Sequence, residues 1–178
     1  MKLQIIISVT IIFSIIAGLW HWLFRKQRHQ WYIRRAKKIY KQINENKTKY
    51  SNPQLLNYLR QINPYVFEEL LLIAFEQKGY KVIHNFKYSG DGGIDGYVII
   101  DRKKIPIQAK RYRSYIRREH VVAFAGVVQR KNVPFGYFIH TGKTGSVHGD
   151  PSYSTVHIIS GLKLINLLDN TIRYQKAP

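Results

Sequence analysis

A carboxylate, an amide and an ammonium recur at short spacing near the middle of this 178-residue chain, as Asp95, Gln108 and Lys110. Asp95 heads the run 94–100, and Gln108 and Lys110 close the run 105–112. Both runs read as strands, joined by a turn at 101–104. If Ile100 pairs with Ile105 in antiparallel register, Asp95 falls opposite Lys110 and Tyr97 opposite Gln108. Side chains alternate faces along a strand, so these four residues share one face. Gly96, Val98, Ile100, Ile105, Ile107 and Ala109 form the apolar, core-facing other. Directly opposed Cβ atoms lie ~5 Å apart. The grouping suits phosphodiester hydrolysis. A carboxylate holds a divalent cation that neutralises phosphate and lowers the pKa of bound water. The amide orients that water or joins the ligand shell. The lysine offers a point charge to the water or the phosphorus. The register assumes an even-numbered turn, and a bulge would carry Lys110 to the wrong face. Pro106 signals an edge or a bulge. An ordinary cross-strand ion pair would use the same Asp and Lys.

Charge narrows the partner. Lysine and arginine total 29 against 10 acids, a net +19, which fits DNA or acidic lipid. Residues 61–178 alone carry 17 basic and 9 acidic groups, so the excess is not confined to the amino-terminal part. The absence of cysteine excludes disulfides, cysteine-ligated zinc and thiol nucleophiles. The seven histidines form no HxH or HExxH spacing, which argues against a zinc enzyme. A metal would then be a hard cation held by carboxylates.

Around this centre, the elements follow from pattern. Residues 3–24 contain no Asp, Glu, Lys or Arg over 22 positions, enough helix to span a hydrocarbon core of roughly 30 Å. Trp20 and Trp22 mark one interface, and the basic cluster from Arg25 to Lys38 places the following domain in the cytoplasm. A transmembrane anchor over 1–24 is expected, in a single-pass protein of the bacterial inner membrane. A cleaved signal peptide would want its basic residues on the other side. Residues 25–60 form a basic, largely helical connector. It rests on acidic lipids in the favoured reading and contacts DNA in the other. Residues 61–178 form the soluble domain. Asn63-Pro64 caps a buried helix that ends at Gly79. Strands follow at 81–86, 94–100, 105–112, 135–140 and 156–159, with helices at 119–129 and from 162. The fold class is therefore α/β, a mixed sheet flanked by helices.

The runs Gly90-Asp91-Gly92-Gly93-Ile94-Asp95 and Ile107-Gln108-Ala109-Lys110-Arg111-Tyr112 resemble the catalytic domain of Mrr-type restriction endonucleases. Those enzymes belong to the PD-(D/E)xK nuclease superfamily, in the variant with glutamine at the second acidic position. Phe67-Glu68 with Gly79-Tyr80 resembles the family's first core helix. The runs 136–139 and 158–164 resemble its later strands and closing helix. The likeness covers 63–168 and implies a restriction-endonuclease-like fold and a metal-dependent endodeoxyribonuclease using Mg2+ or Mn2+. It makes Asp95, Gln108 and Glu68 the metal-site residues and Lys110 the catalytic lysine. Glu69 beside Glu68 leaves that choice open. Asp91 is read as structural, and Gly90, Gly92 and Gly93 as serving backbone conformation and close approach to phosphate.

Two departures stand out. The place of the family's separate recognition domain is taken by the apolar segment and basic connector, which puts sequence-specific restriction in doubt. Thr141-Gly142-Lys143-Thr144-Gly145 imitates a P-loop but has one residue too many after Gly136, so Lys143 is read as a DNA ligand. Arg111, Arg113, Arg117 and Arg118, interleaved with Tyr112 and Tyr115, form the expected phosphate-contacting patch. His120 and His140 are read as packing or surface residues. Expected partners are DNA and the membrane, with a homodimer among the options. The competing functions are a non-catalytic module that tethers DNA to the membrane and a lipid-binding structural protein.

Overall fold

The computed structural model describes residues 2–46, 50–85, 92–145 and 153–172, without the side chains of 2–6, 8 and 9. The expected glycine-rich turn therefore lies outside the described residues up to Asp91, as do the last residue of the first expected strand and residues 47–49 of the connector. The elements run α1 (Lys2–Glu45), α2 (Asn52–Gln61), α3 (Pro64–Gln77), β1 (Lys81–His84), β2 (Gly96–Ile100), β3 (Lys103–Lys110), α4 (Arg118–Arg130), β4 (Gly136–His140), β5 (Val156–Ile159) and α5 (Gly161–Leu168). The sheet has five strands in the order β1-β2-β3-β4-β5. Neighbours are antiparallel through β3 and parallel from β3 to β5.

Two apolar clusters sandwich the sheet. On one side Val98, Ile100, Ile105, Ile107 and Ala109 meet α3, α5 and the second half of α1. On the other, Phe138 and Val156 meet Val121, Phe124 and Val128 of α4. Asn63 caps α3 as its sequence requires, its side chain accepting from the Tyr65 and Val66 amides. Gly79 follows the helix with φ +87°, a conformation open mainly to glycine.

Helix α1 joins two segments that the sequence separates. Its 44 residues form one uninterrupted helix. His29, Tyr32, Ala36, Ile39, Tyr40 and Ile43 are all buried, and their three-to-four spacing makes a single stripe. Arg34, Arg35, Lys37, Lys38 and Lys41 are exposed on the remaining surface. The basic connector is therefore packed into the domain's own core through one face. Earlier in the helix the apolar side chains stand in the open, Phe13 at 72% and Trp20 at 64% exposure. Among the described residues, no helix is long and apolar enough to cross a membrane.

The β2–β3 hairpin departs from the expected register by two residues. Ile100 pairs with Lys103, and Val98 with Ile105. The turn is only Asp101-Arg102, both left-handed at φ 47° and 64°. That is the signature of a two-residue hairpin whose twist matches its strands. An even shift preserves the faces, which is why the apolar set still meets the core. Pro106 sits in the central strand. Its nitrogen points away from β2, because the adjacent Ile107 carbonyl accepts from Asp95 across that ladder. Pairing to β4 begins only at Ile107, so no ladder bond is lost.

Candidate functional site

Asp95 lies where the β2–β3 ladder ends. Its amide donates to the Ile107 carbonyl at 2.8 Å, although Ile107 is the partner of Gly96. Two residues thus face one, as in a bulge, and Asp95 is turned out of the strand's alternation. Its carboxylate Oδ2 accepts from the Ala109 amide at 2.7 Å. This replaces the expected position opposite Lys110. Asp95 now sits beside the stretch of β3 that carries Gln108 and Lys110.

Gln108 is buried, and its Nε2 donates to the Gly93 carbonyl at 2.8 Å. The amide's orientation is fixed by that bond. Gly93 has φ +79°, and a Cβ there would overlap Gln108 Nε2. Gly93→Ala is accordingly expected to displace Gln108 and lower any activity of the site about tenfold or more. DNA retardation would be unchanged in a gel-shift control.

Glu68 enters from α3. Its carboxyl is pushed up to about 8, first by burial, then by the like charges of Asp95 and Glu69. Lys110 and Arg111 pull in the opposite direction. Glu68, Asp95 and Lys110 therefore occupy one electrostatic neighbourhood, as the resemblance implies. Glu68 and Glu69 send their side chains in different directions. Glu69 is buried beneath α1, 2.6 Å from His84 Nδ1 and 3.6 Å from His29 Nδ1. Consecutive positions on a helix point ~100° apart, so one glutamate faces Asp95 and the next faces the histidines.

Arg111 departs from the expected phosphate patch. Its guanidinium donates to the backbone carbonyls of Arg60 and Ile62, at the end of α2 where helical carbonyls lack partners. Arg60 in turn donates to the Thr141 carbonyl at 2.7 Å. Arg111→Ala should therefore cost about 1–3 kcal/mol of stability in a denaturant melt.

Arg113, Arg117, Arg118 and Lys143 are exposed. Lys143 lies over the Tyr115 ring, 5.6 Å from its centroid, and two backbone bonds join the segments (Lys143 amide to Ser114, Ile116 amide to Lys143). The loop that resembled a P-loop is thus a surface next to the end of β3. Its base is His140, fully buried and held down to about 4 by burial. Neutral His140 accepts from the Gly142 amide at Nδ1. Its Nε2 lies 3.3 Å from the Thr144 hydroxyl, which reaches Ser160. His120 lies against the Tyr112 hydroxyl. Both histidines hold structure together, as the sequence suggests.

The arrangement is a mixed sheet flanked by helices, with two carboxylates, an amide and a lysine gathered at the end of its central hairpin. This fits the restriction-endonuclease-like class. A family model described as restriction endonuclease, Mrr_cat, matches residues 59–168, and the chain belongs to that family. The chain is also 29% identical over 124 residues to the type IV methyl-directed restriction enzyme EcoKMrr of Escherichia coli (strain K12). The match takes in 65% of this chain and 41% of that enzyme, so the chain spans well under two thirds of the relative's length. No solved structure matches.

Sequence reasoning missed one cluster. His29, Glu69 and His84 bring one ligand atom each within 4.8 Å of one another. They come from α1, α3 and β1, so no local spacing announces them. The sequence signal is faint, because Glu69 is one of three glutamates in a largely apolar helix.

Proposed function

We propose that the chain is a divalent-metal-dependent endonuclease of DNA, with Glu68, Asp95, Gln108 and Lys110 as its working residues. The observation that carries this reading is the burial of Glu68 against Asp95 with Lys110 alongside. Burial, reinforced by the like charges of Asp95 and Glu69, raises the Glu68 carboxyl to about 8, and a hard cation beside Glu68 and Asp95 would offset both effects. The donor set is all oxygen, which suits Mg2+ or Mn2+. Asp95 and Glu68 would hold the ion, with the Gln108 amide oxygen as a further ligand. When bound, the ion would neutralise phosphate charge and lower the pKa of a bound water.

The chain's own groups do the rest. The Ala109 amide fixes one Asp95 oxygen, so the carboxylate is positioned before substrate arrives. The Gly93 carbonyl fixes the Gln108 amide. Lys110 supplies a positive point charge to the attacked phosphate. Arg113, Arg117, Arg118 and Lys143 draw the DNA backbone across the surface by charge.

The membrane reading rests on α1. Phe13, Ile16, Leu19 and Trp20 have more than half of their surface exposed among the described residues. Apolar surface of that density finds its partner in lipid. Residues 1–24 are the anchor in this reading. They place the domain at the cytoplasmic face of a bacterial inner membrane.

The test is relaxation of supercoiled plasmid by the full chain in detergent, with Mg2+, with Mn2+ and with chelator. Metal-dependent nicking is expected. Retardation of the plasmid without cutting under any metal would instead favour a DNA-binding tether. In parallel, the full chain should float with lipid vesicles, and a form lacking residues 1–24 should stay with the soluble fraction.

A further inference from the structure

We propose that His29, Glu69 and His84 form a second metal site, for a borderline divalent ion of the zinc type, which staples α1 to the nuclease domain.

The ligand chemistry is complete for such an ion. Two imidazoles and one carboxylate suit Zn2+ rather than Mg2+. The Glu69 carboxylate lies between the rings, with Oε2 2.6 Å from His84 Nδ1 and Oε1 3.6 Å from His29 Nδ1. Donor atoms ~2.0–2.1 Å from a tetrahedral ion sit ~3.3 Å apart. To admit the ion, the short His84–Glu69 contact would open by under an ångström, and the wider separations, up to 4.8 Å, would close toward the same value. The far side of His84 is also prepared. Its Nε2 lies 3.5 Å from Glu76 Oε1, the carboxylate-behind-histidine arrangement that fixes ring orientation and ligand basicity.

Burial gives the site its character. His29 is 1% exposed and Glu69 3%. A carboxylate this deep needs a cation beside it. The hydrogen bond to Glu69 holds the His84 imidazole above its ordinary range. Burial, outweighing Glu69, holds His29 below its own. The three ligands come from three elements, α1, α3 and β1, so occupancy ties the long helix to the helix that carries Glu68. Water would complete four-coordination, and burial of His29 and Glu69 leaves that water no room beside it for a substrate, so the role is structural.

The experiment uses the full chain, without an affinity tag, in detergent and stripped by chelator. Zn2+ is titrated against a chromogenic competitor, and Co2+ is followed by its visible absorption. One tight equivalent is expected, with the Co2+ spectrum of a four-coordinate nitrogen- and oxygen-ligated ion. The ion should raise Tm by several degrees. Asp95→Ala should leave all of this intact. His29→Ala and the shape-conserving His84→Asn should each weaken binding at least a hundredfold. Their circular dichroism in chelator would match the wild type. If a variant fails to fold, the Co2+ spectrum of the wild type decides by itself. An octahedral, oxygen-ligated spectrum overturns the proposal. So does binding that is lost in Asp95→Ala, or is equal in the wild type and the histidine variants. Magnesium-dependent plasmid nicking, measured on the same samples, reports on the nuclease reading separately.

Discussion

Asp95→Ala is expected to lower plasmid cleavage by about 10³-fold or more while leaving DNA retardation within twofold of the wild type. The reasoning is local. Asp95 sits at the bulge that ends the β2–β3 ladder, and its carboxylate bonds the Ala109 amide. Removing it would delete one of the two carboxylates proposed to hold the ion and free the backbone that carries Gln108 and Lys110. Loss of a metal-holding group removes charge stabilisation at the phosphate and the means of lowering the pKa of bound water. Effects of that kind run to several kcal/mol of barrier. Lys110→Ala should lose cleavage to a similar extent, because the lysine would act on the same transition state and such losses do not add. A variant that binds DNA and still cuts would remove Asp95 from the site.

The second large effect is Glu68→Gln. In an unfolded chain Glu68 ionises near 4.5, and in the fold near 8. The folded protein thus favours the neutral carboxyl. That contribution to stability is fully present below pH 4.5 and is lost as pH rises through about 8. Metal-free wild-type protein should therefore lose Tm between those limits, and Glu68→Gln should not. At pH 8 the variant should melt at least ~3 °C higher. Metal reverses the sign. Mg2+ would bind the ionised carboxylate, so the concentration needed for half-maximal cleavage should fall about tenfold for each unit that pH rises toward 8. Glu68→Gln should lack that slope and cleave poorly at every pH. Equal melting curves for the two proteins at pH 8 would place Glu68 outside the charged neighbourhood of Asp95.

Much of this was legible in the residues. Alternation along 96–109 identified the core face, and Asn63-Pro64 identified the start of α3. The spacing of Asp95, Gln108 and Lys110 pointed to the candidate site. The detail of the hairpin was not legible, because neither Asp101 nor Arg102 is the glycine or asparagine that normally announces two left-handed positions. Arg111 looked like a phosphate ligand because side-chain direction is invisible in a basic run. Its partners are carbonyls ~50 residues earlier in the chain. Glu68 and Glu69 are adjacent letters whose roles differ by a rotation about the helix axis. The same rotation hid the meeting of His29, Glu69 and His84, which are brought together only by the docking of α1.

That docking bears on reach. A flexible linker of twenty-odd residues would let a catalytic domain sweep a hemisphere some tens of ångströms in radius. An unbroken α-helix of 44 residues is a rod of ~66 Å, and its second half is embedded in the domain. Were its first half held in a bilayer, as proposed, the domain would turn about the rod's axis but would not wander from the surface. The candidate site would then patrol a thin layer at a fixed height and tilt. Only DNA that enters that layer, such as a strand arriving through the membrane or a chromosome loop pressed against it, would meet the site in a usable orientation.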